Sequence, residues 1–247
     1  MSIPWDVPVR EFICSLVDKG ATSIVDIGCG DGYNLRELER LVPKAALVGV
    51  DRDSVIERTK AAKPVGSRVS FMAGDIERGI PLASESADVV LSTNVMECIV
   101  NKDAHVLEIR RIMRPGGQVV CAHYDWDSQV LDGGDKDLVR RIVRSFGDLK
   151  QAWMNDCDSW MGRRLWRTFQ RSSLFEGSVH AKVLAETRFV PGMYGYETVC
   201  CFETLVRRGV VGREEYDRFR KDLEDLDASG EYFYGITMYV YCGRASG

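Results

Sequence analysis

The chain has 247 residues, 45% hydrophobic and 28% charged, with a formal net charge of −4. That length and composition suit one α/β domain or a domain with a lid, the acidic balance excludes a basic field for generic nucleic-acid binding, and no apolar run approaches the ~20 residues of a membrane span. Eight scattered cysteines form no C-x-x-C and no zinc spacing, and the first residues carry no basic-then-apolar leader, so a reducing cytoplasm without a bound metal is expected.

Val9, Phe12, Ile13, Leu16 and Val17 make one helical stripe that ends at Gly20. Residues 24–27 then read as a buried strand running into Gly28, Gly30 and Gly32, and the leucines of 33–41 have helical spacing. Glycine is required in such a turn because it tolerates positive φ and lets the backbone approach a ligand. The pattern is D-x-G-x-G-x-G, starting at Asp26; the third glycine of a dinucleotide fingerprint would fall on Tyr33, so that match fails. Residues 46–51 form a second strand ending in Asp51, which lies beside the first strand's end and can accept from two ribose hydroxyls. Capping the helix from Ser54 is the competing role for an acid here, and Asp53 serves it equally well. A third strand follows at 68–73 with Gly74-Asp75-Ile76 past its end, and a fourth at 87–92 with Thr93-Asn94-Val95-Met96-Glu97-Cys98 after it. A helix over 107–114 is expected to stop at Pro115-Gly116-Gly117, before a fifth strand at 118–124.

These features occur in order: the glycine turn, the acid after strand two, Gly-Asp-Ile after strand three, Asn-Val-Met-Glu after strand four, and Arg-Pro-Gly-Gly before strand five. Over residues 20–125 the chain resembles the class I S-adenosylmethionine-dependent methyltransferases, especially the branch with ubiquinone/menaquinone and small-molecule enzymes. The resemblance implies an α/β, Rossmann-like, doubly wound seven-stranded sheet whose last strand is antiparallel and inserted between strands five and six. It implies S-adenosylmethionine as cofactor and S-adenosylhomocysteine as product, held by Asp26, Gly28, Gly30, Asp31, Asp51 and Arg52. Asp75 would accept from the adenine amino group, the Ile76 N–H would face the ring, and the loop with Asn94 and Val95 would carry the sulfonium.

Residues 127–177 carry no strand signal. Leu138, Val139, Ile142, Val143 and Phe146 form one helical stripe, and Ala152, Trp153, Cys157, Trp160, Met161, Leu165, Trp166 and Phe169 a longer one, with arginines off both. They read as amphipathic helices with solvated faces, or as a helical lid after strand five whose aromatics shape a substrate pocket. The expected organisation is a cofactor-binding half at 1–126, the lid insertion at 127–177 and the remaining sheet at 178–247. Alternation over 178–189 marks a sixth strand, Tyr194 and Tyr196 follow in a Gly-rich turn, 200–211 and 214–226 are helical, and 231–242 is the last strand.

His123 is the candidate general base, because its intrinsic pKa lies near neutrality; a core histidine bonded to backbone is the competing reading. Tyr124, Asp125 and Trp126 at the same edge, Tyr33 beside the glycine turn, and Tyr194 and Tyr196 are the substrate-pocket candidates. The expected function is methyl transfer to an N, O or C atom of a small organic molecule, with natural-product biosynthesis as a setting. The alternatives are arsenite methylation, although Cys98, Cys157, Cys200 and Cys201 show no evident pattern, and a non-catalytic S-adenosylmethionine-binding partner protein. A monomer or homodimer that binds neither nucleic acid nor membrane is expected.

Overall fold

In the computed structural model, which describes residues 5–246, seven strands form one mixed sheet in the order β3-β2-β1-β4-β5-β7-β6. β1 (Ser23–Ile27), β2 (Ala46–Asp51), β3 (Ser70–Ala73), β4 (Ala87–Thr93) and β5 (Met113–Leu131) are parallel. β7 (Tyr234–Ala245) is antiparallel to β5 and to β6 (Phe175–Glu186) and lies between them, as the resemblance implied. β1 and β4 are near-continuous apolar runs because helices cover both faces of a parallel sheet. β5 shows the resulting alternation. Val120, Ala122 and Tyr124 pack in one core with α1 (Val7–Ser15), α2 (Tyr33–Leu41), α5 (Lys136–Gly147), α7 (Tyr194–Cys201) and α9 (Arg213–Ser229). Val119 and Cys121 pack in the other with α4 (Lys102–Ile112) and α6 (Met161–Ser172). α3 (Asp53–Ala61) joins the first core through Ile56, and α8 (Glu203–Arg207) through Leu205.

Several boundaries depart from the sequence reading. The helix expected at 107–114 is α4, which starts at Lys102, where the Asn101 side chain accepts from the Ala104 N–H at 3.0 Å. It ends at Ile112, and Pro115–Gly117 belong to the extended start of β5, because the residue before a proline is pushed out of the helical region. The long stripe from Ala152 is helical only from Met161. Upstream of it the Asp158 carboxylate accepts from the Trp160 N–H at 3.2 Å and from Arg164 at 2.6 Å, a local bond that competes with helix formation. Tyr194 and Tyr196 open α7 and do not sit in a turn. The Glu186 carboxylate takes the free N–H groups of Tyr194 and Gly195, at 2.9 and 2.7 Å, and so caps that helix. The helix expected over 200–211 is divided between α7 and α8.

The insertion after β5 straddles the sheet. α5 buries Ile142 on one face and α6 buries Leu165 and Phe169 on the other. The irregular residues 148–160 between them cross the carboxyl edge of the sheet, where the strand order reverses between β1 and β4 and ligands bind in open α/β sheets.

Candidate functional site

The glycine turn after β1 is left-handed at Gly28, Gly30 and Gly32, with φ of 70°, 54° and 76°. A Cβ at Gly28 would collide with the Val95 side chain, so even alanine would close the cleft there. The turn is tied to β2: the Gly30 N–H donates to Asp51 Oδ2 at 2.9 Å and the Arg52 N–H to Asp51 Oδ1 at 2.7 Å. Each carboxylate oxygen keeps a free lone pair, and the residue lines the cleft. Asn94, at the end of β4, adopts φ of 56°, a conformation asparagine tolerates better than most residues. Its N–H donates to the Ala122 carbonyl at 2.9 Å and its Oδ1 accepts from the Tyr124 N–H at 3.0 Å, which zips the tips of β4 and β5 together.

The tips of β1, β2, β3 and β4 thus enclose a cleft of about 190 Å³. Gly28, Asp51, Arg52, Asp75, Ile76, Asn94 and Val95 line it, seven of the ten residues expected to hold the cofactor. The other three shape the turn. Gly30 supplies the amide on Asp51. Asp31 accepts from the Tyr33 N–H at 3.1 Å and pairs with Arg36 at 3.5 Å. Asp26 lies buried at the end of β1, and both of its carboxylate oxygens lack a hydrogen-bond partner. Burial pushes its pKa up to about 8, against the pull of the Arg10 guanidinium and the neighbouring Asn34 amide, with Asp51 and Asp31 adding repulsion. An orphaned buried carboxyl beside a glycine cradle fits a ligand that brings a cationic amine.

Cys98, at the end of the loop expected to face the sulfonium, lines the cleft, and sequence reasoning missed Glu77, Ile99, Trp153 and Asn155 on its wall. Trp153 and Asn155 come from residues 148–160, and Arg52 Nη1 anchors that segment by donating to the Trp153 carbonyl at 3.2 Å. The aromatic density of the stretch was the available signal, but its irregular path was not legible.

Trp153 also lines a second chamber of about 320 Å³, with walls of Trp126, Phe146, Leu149 and Met154. Glu97 is its acid. Glu97 is 5% exposed, its Oε2 accepts from the Trp126 indole N–H at 2.7 Å, and its Oε1 lies 3.9 Å from His123 Nε2. Desolvation raises the pKa of Glu97, with the charge of His123 opposing. His123 itself is fully buried, and its Nδ1 donates to the Tyr124 carbonyl at 2.7 Å, which leaves Nε2 bare and turned to Glu97. Glu97, not His123, lines the chamber.

Of the substrate-pocket candidates, Trp126 lines this chamber, whereas Tyr33, Tyr124, Asp125, Tyr194 and Tyr196 line neither space. Strand alternation sends Tyr124 inward, where its hydroxyl donates to Asp6 at 3.1 Å and its ring packs 5.2 Å from Tyr194. Asp125 is buried in a bidentate pair with Arg163. Tyr33 sits between the guanidinium groups of Arg10 and Arg36, and the Tyr196 hydroxyl accepts from Arg220 at 3.0 Å. For arsenite capture, the chamber takes in Cys157 and Cys201 and the cleft Cys98, but burial pushes the thiols of Cys98 and Cys157 up to about 12 and about 11, and among the described residues no three His, Cys, Asp or Glu side chains group as a metal site.

Comparison with known proteins agrees with this geometry. Residues 18–186 match the family model of a methyltransferase domain, Methyltransf_31. The chain is 30% identical over 91% of its length to an uncharacterised 37.1 kDa protein in transposon TN4556 of Streptomyces fradiae, of which it spans 63%. It is 25% identical over 73% of its length to the malonyl-[acyl-carrier protein] O-methyltransferase of Hahella chejuensis, of which it spans 57%. A Bacillus halodurans C-125 structure assigned as a methyltransferase superposes with a TM-score of 0.59 at 15% identity, over 97% of this chain and 98% of that one, and so shares the fold. The chain therefore belongs to the methyltransferase domain family.

Proposed function

We propose that the protein methylates an N, O or C atom of a small organic molecule, such as a secondary metabolite, bound in the chamber lined by Trp126, Phe146 and Trp153. The observation that carries this reading is that Trp153 lines both the cofactor cleft and that chamber, so the two spaces meet at one side chain. When bound, the cofactor supplies a methyl group on a cationic sulfur. In this assignment Asp51 holds the ribose hydroxyls, Asp75 the adenine amino group, the Ile76 N–H the ring, and Asp26 the amine of the amino-acid end. The chain's further contribution is alignment and exclusion of water: the chamber walls are mainly apolar, and residues 148–160 cover the edge.

The test is competition binding followed by turnover. S-adenosylmethionine and S-adenosylhomocysteine should displace one another from the protein, and NAD should displace neither. Formation of S-adenosylhomocysteine should then depend on a small acceptor. Tight cofactor binding with no product across broad panels of amines, phenols and carboxylic acids would favour the non-catalytic partner reading.

A further inference from the structure

The chamber beside the cofactor cleft has an unusual charge inventory. Of the described residues lining it, Glu97 is the one acid, and none is lysine, arginine or histidine. Trp126, Phe146 and Trp153 supply aromatic faces. Glu97 has one oxygen on the Trp126 indole, while Oε1 makes no hydrogen bond, because 3.9 Å to His123 Nε2 is beyond bonding distance. The nearest ionisable side chain, His123, lies behind Glu97 and makes no hydrogen bond to it; the next charges are engaged elsewhere, Lys102 with Asp156 at 2.7 Å and Asp158 with Arg164 at 2.6 Å.

A buried carboxylate oxygen with no hydrogen-bonded partner is costly, and a ligand that brings a cationic donor onto it recovers that cost. Aromatic faces add a further attraction for cations. An acceptor ending in a carboxylate or phosphate would instead set like charges together in a poorly solvated space. We infer that the acceptor is a compact arylalkyl amine, a cation at neutral pH, its nitrogen on Glu97 Oε1 and its ring among Trp126, Phe146 and Trp153. This deepens the methyl-transfer reading and rests on it. An amine that arrives as ammonium must lose a proton before its nitrogen can be alkylated. Glu97 takes that proton: an N–H bond breaks, its electron pair stays on nitrogen, and an O–H bond forms at Oε1. His123 acts through Glu97 and is a positioning residue.

Three probes share one indole body and differ in the end group: tryptamine, tryptophol and indole-3-acetate. Each is titrated calorimetrically into the full chain, with and without S-adenosylhomocysteine. Tryptamine should bind tighter than indole-3-acetate by about tenfold or more. E97Q should abolish that preference. Thr204→Lys, which adds a cation to the chamber wall at a half-buried position, should abolish it with Glu97 intact, so the outcome does not hang on one variant's folding. Equal affinities, a preference for the carboxylate, binding of none of the three, or a preference that survives both substitutions would overturn the inference. Failure of S-adenosylhomocysteine to bind overturns the cofactor reading instead, and the amine comparison is then read on the protein alone.

Discussion

Asp51 and Asp26 are both carboxylates near the glycine turn, and their surroundings give them opposite chemistry. Asp51 is half-exposed and anchored by two backbone N–H groups. Its remaining lone pairs are free for a ligand. Asp51→Ala should weaken S-adenosylhomocysteine binding by about 1.5–3 kcal/mol, the range for a hydrogen bond to a charged group; wild-type affinity by titration calorimetry would remove Asp51 from the ribose site. Asp26 is buried without a partner, and its pKa rises from 3.8 to about 8 on folding. Between those values the folded chain holds a proton that the unfolded chain has released, so this group's contribution to stability falls as pH rises. Asp26→Asn should therefore be increasingly more stable than the wild type, without cofactor, as pH goes from about 4 to about 8. Parallel melting temperatures of the two proteins across that range would show Asp26 to be paired.

At the scale of elements, the insertion after β5 divides its labour. α5 and α6 are core helices, one on each face of the sheet, and the segment between them covers the cleft. α6 is held by Phe169, which is fully buried and stacks on Tyr241 of β7 with ring centres 4.3 Å apart. Truncating such a side chain removes buried area and leaves a cavity, so Phe169→Ala should cost about 3–5 kcal/mol in denaturant unfolding. A loss under about 1 kcal/mol would show that α6 docks only loosely. The same helix carries Arg163, the partner of the buried Asp125 of β5, so that pair also ties α6 to the sheet.

At the scale of the molecule, the order reversal between β1 and β4 brings together groups that lie far apart in the chain. Gly28, Asp51, Asp75, Asn94 and Trp153 come from five separate connections and share one cleft. A ligand that bridges them binds only the folded chain and stabilises it by mass action. S-adenosylhomocysteine at 100 times its Kd should add about 2.7 kcal/mol and raise the melting temperature by about 5–10 °C for a chain of this size. NAD at equal concentration should leave it unchanged; a comparable shift with NAD would mean that the cleft recognises adenosine alone.

What the sequence determined by itself was local and repetitive. Apolar runs gave the strands, glycines at alternate positions gave the turn, and an acid at each strand tip pointed to one cleft. These signals survive without tertiary context because each is written in consecutive residues. The tertiary structure decided which way side chains face and what meets across the chain. His123 and Trp126 differ by three positions on one strand, yet one is sealed behind Glu97 and the other lines the chamber. Trp153 reads as part of a helical stripe, yet it sits in an irregular segment, because Asp158 and the anchoring bond from Arg52 outcompete helix formation there. Glu97 had no local signal as an acceptor ligand: its character comes from burial and from neighbours that only the folded sheet supplies.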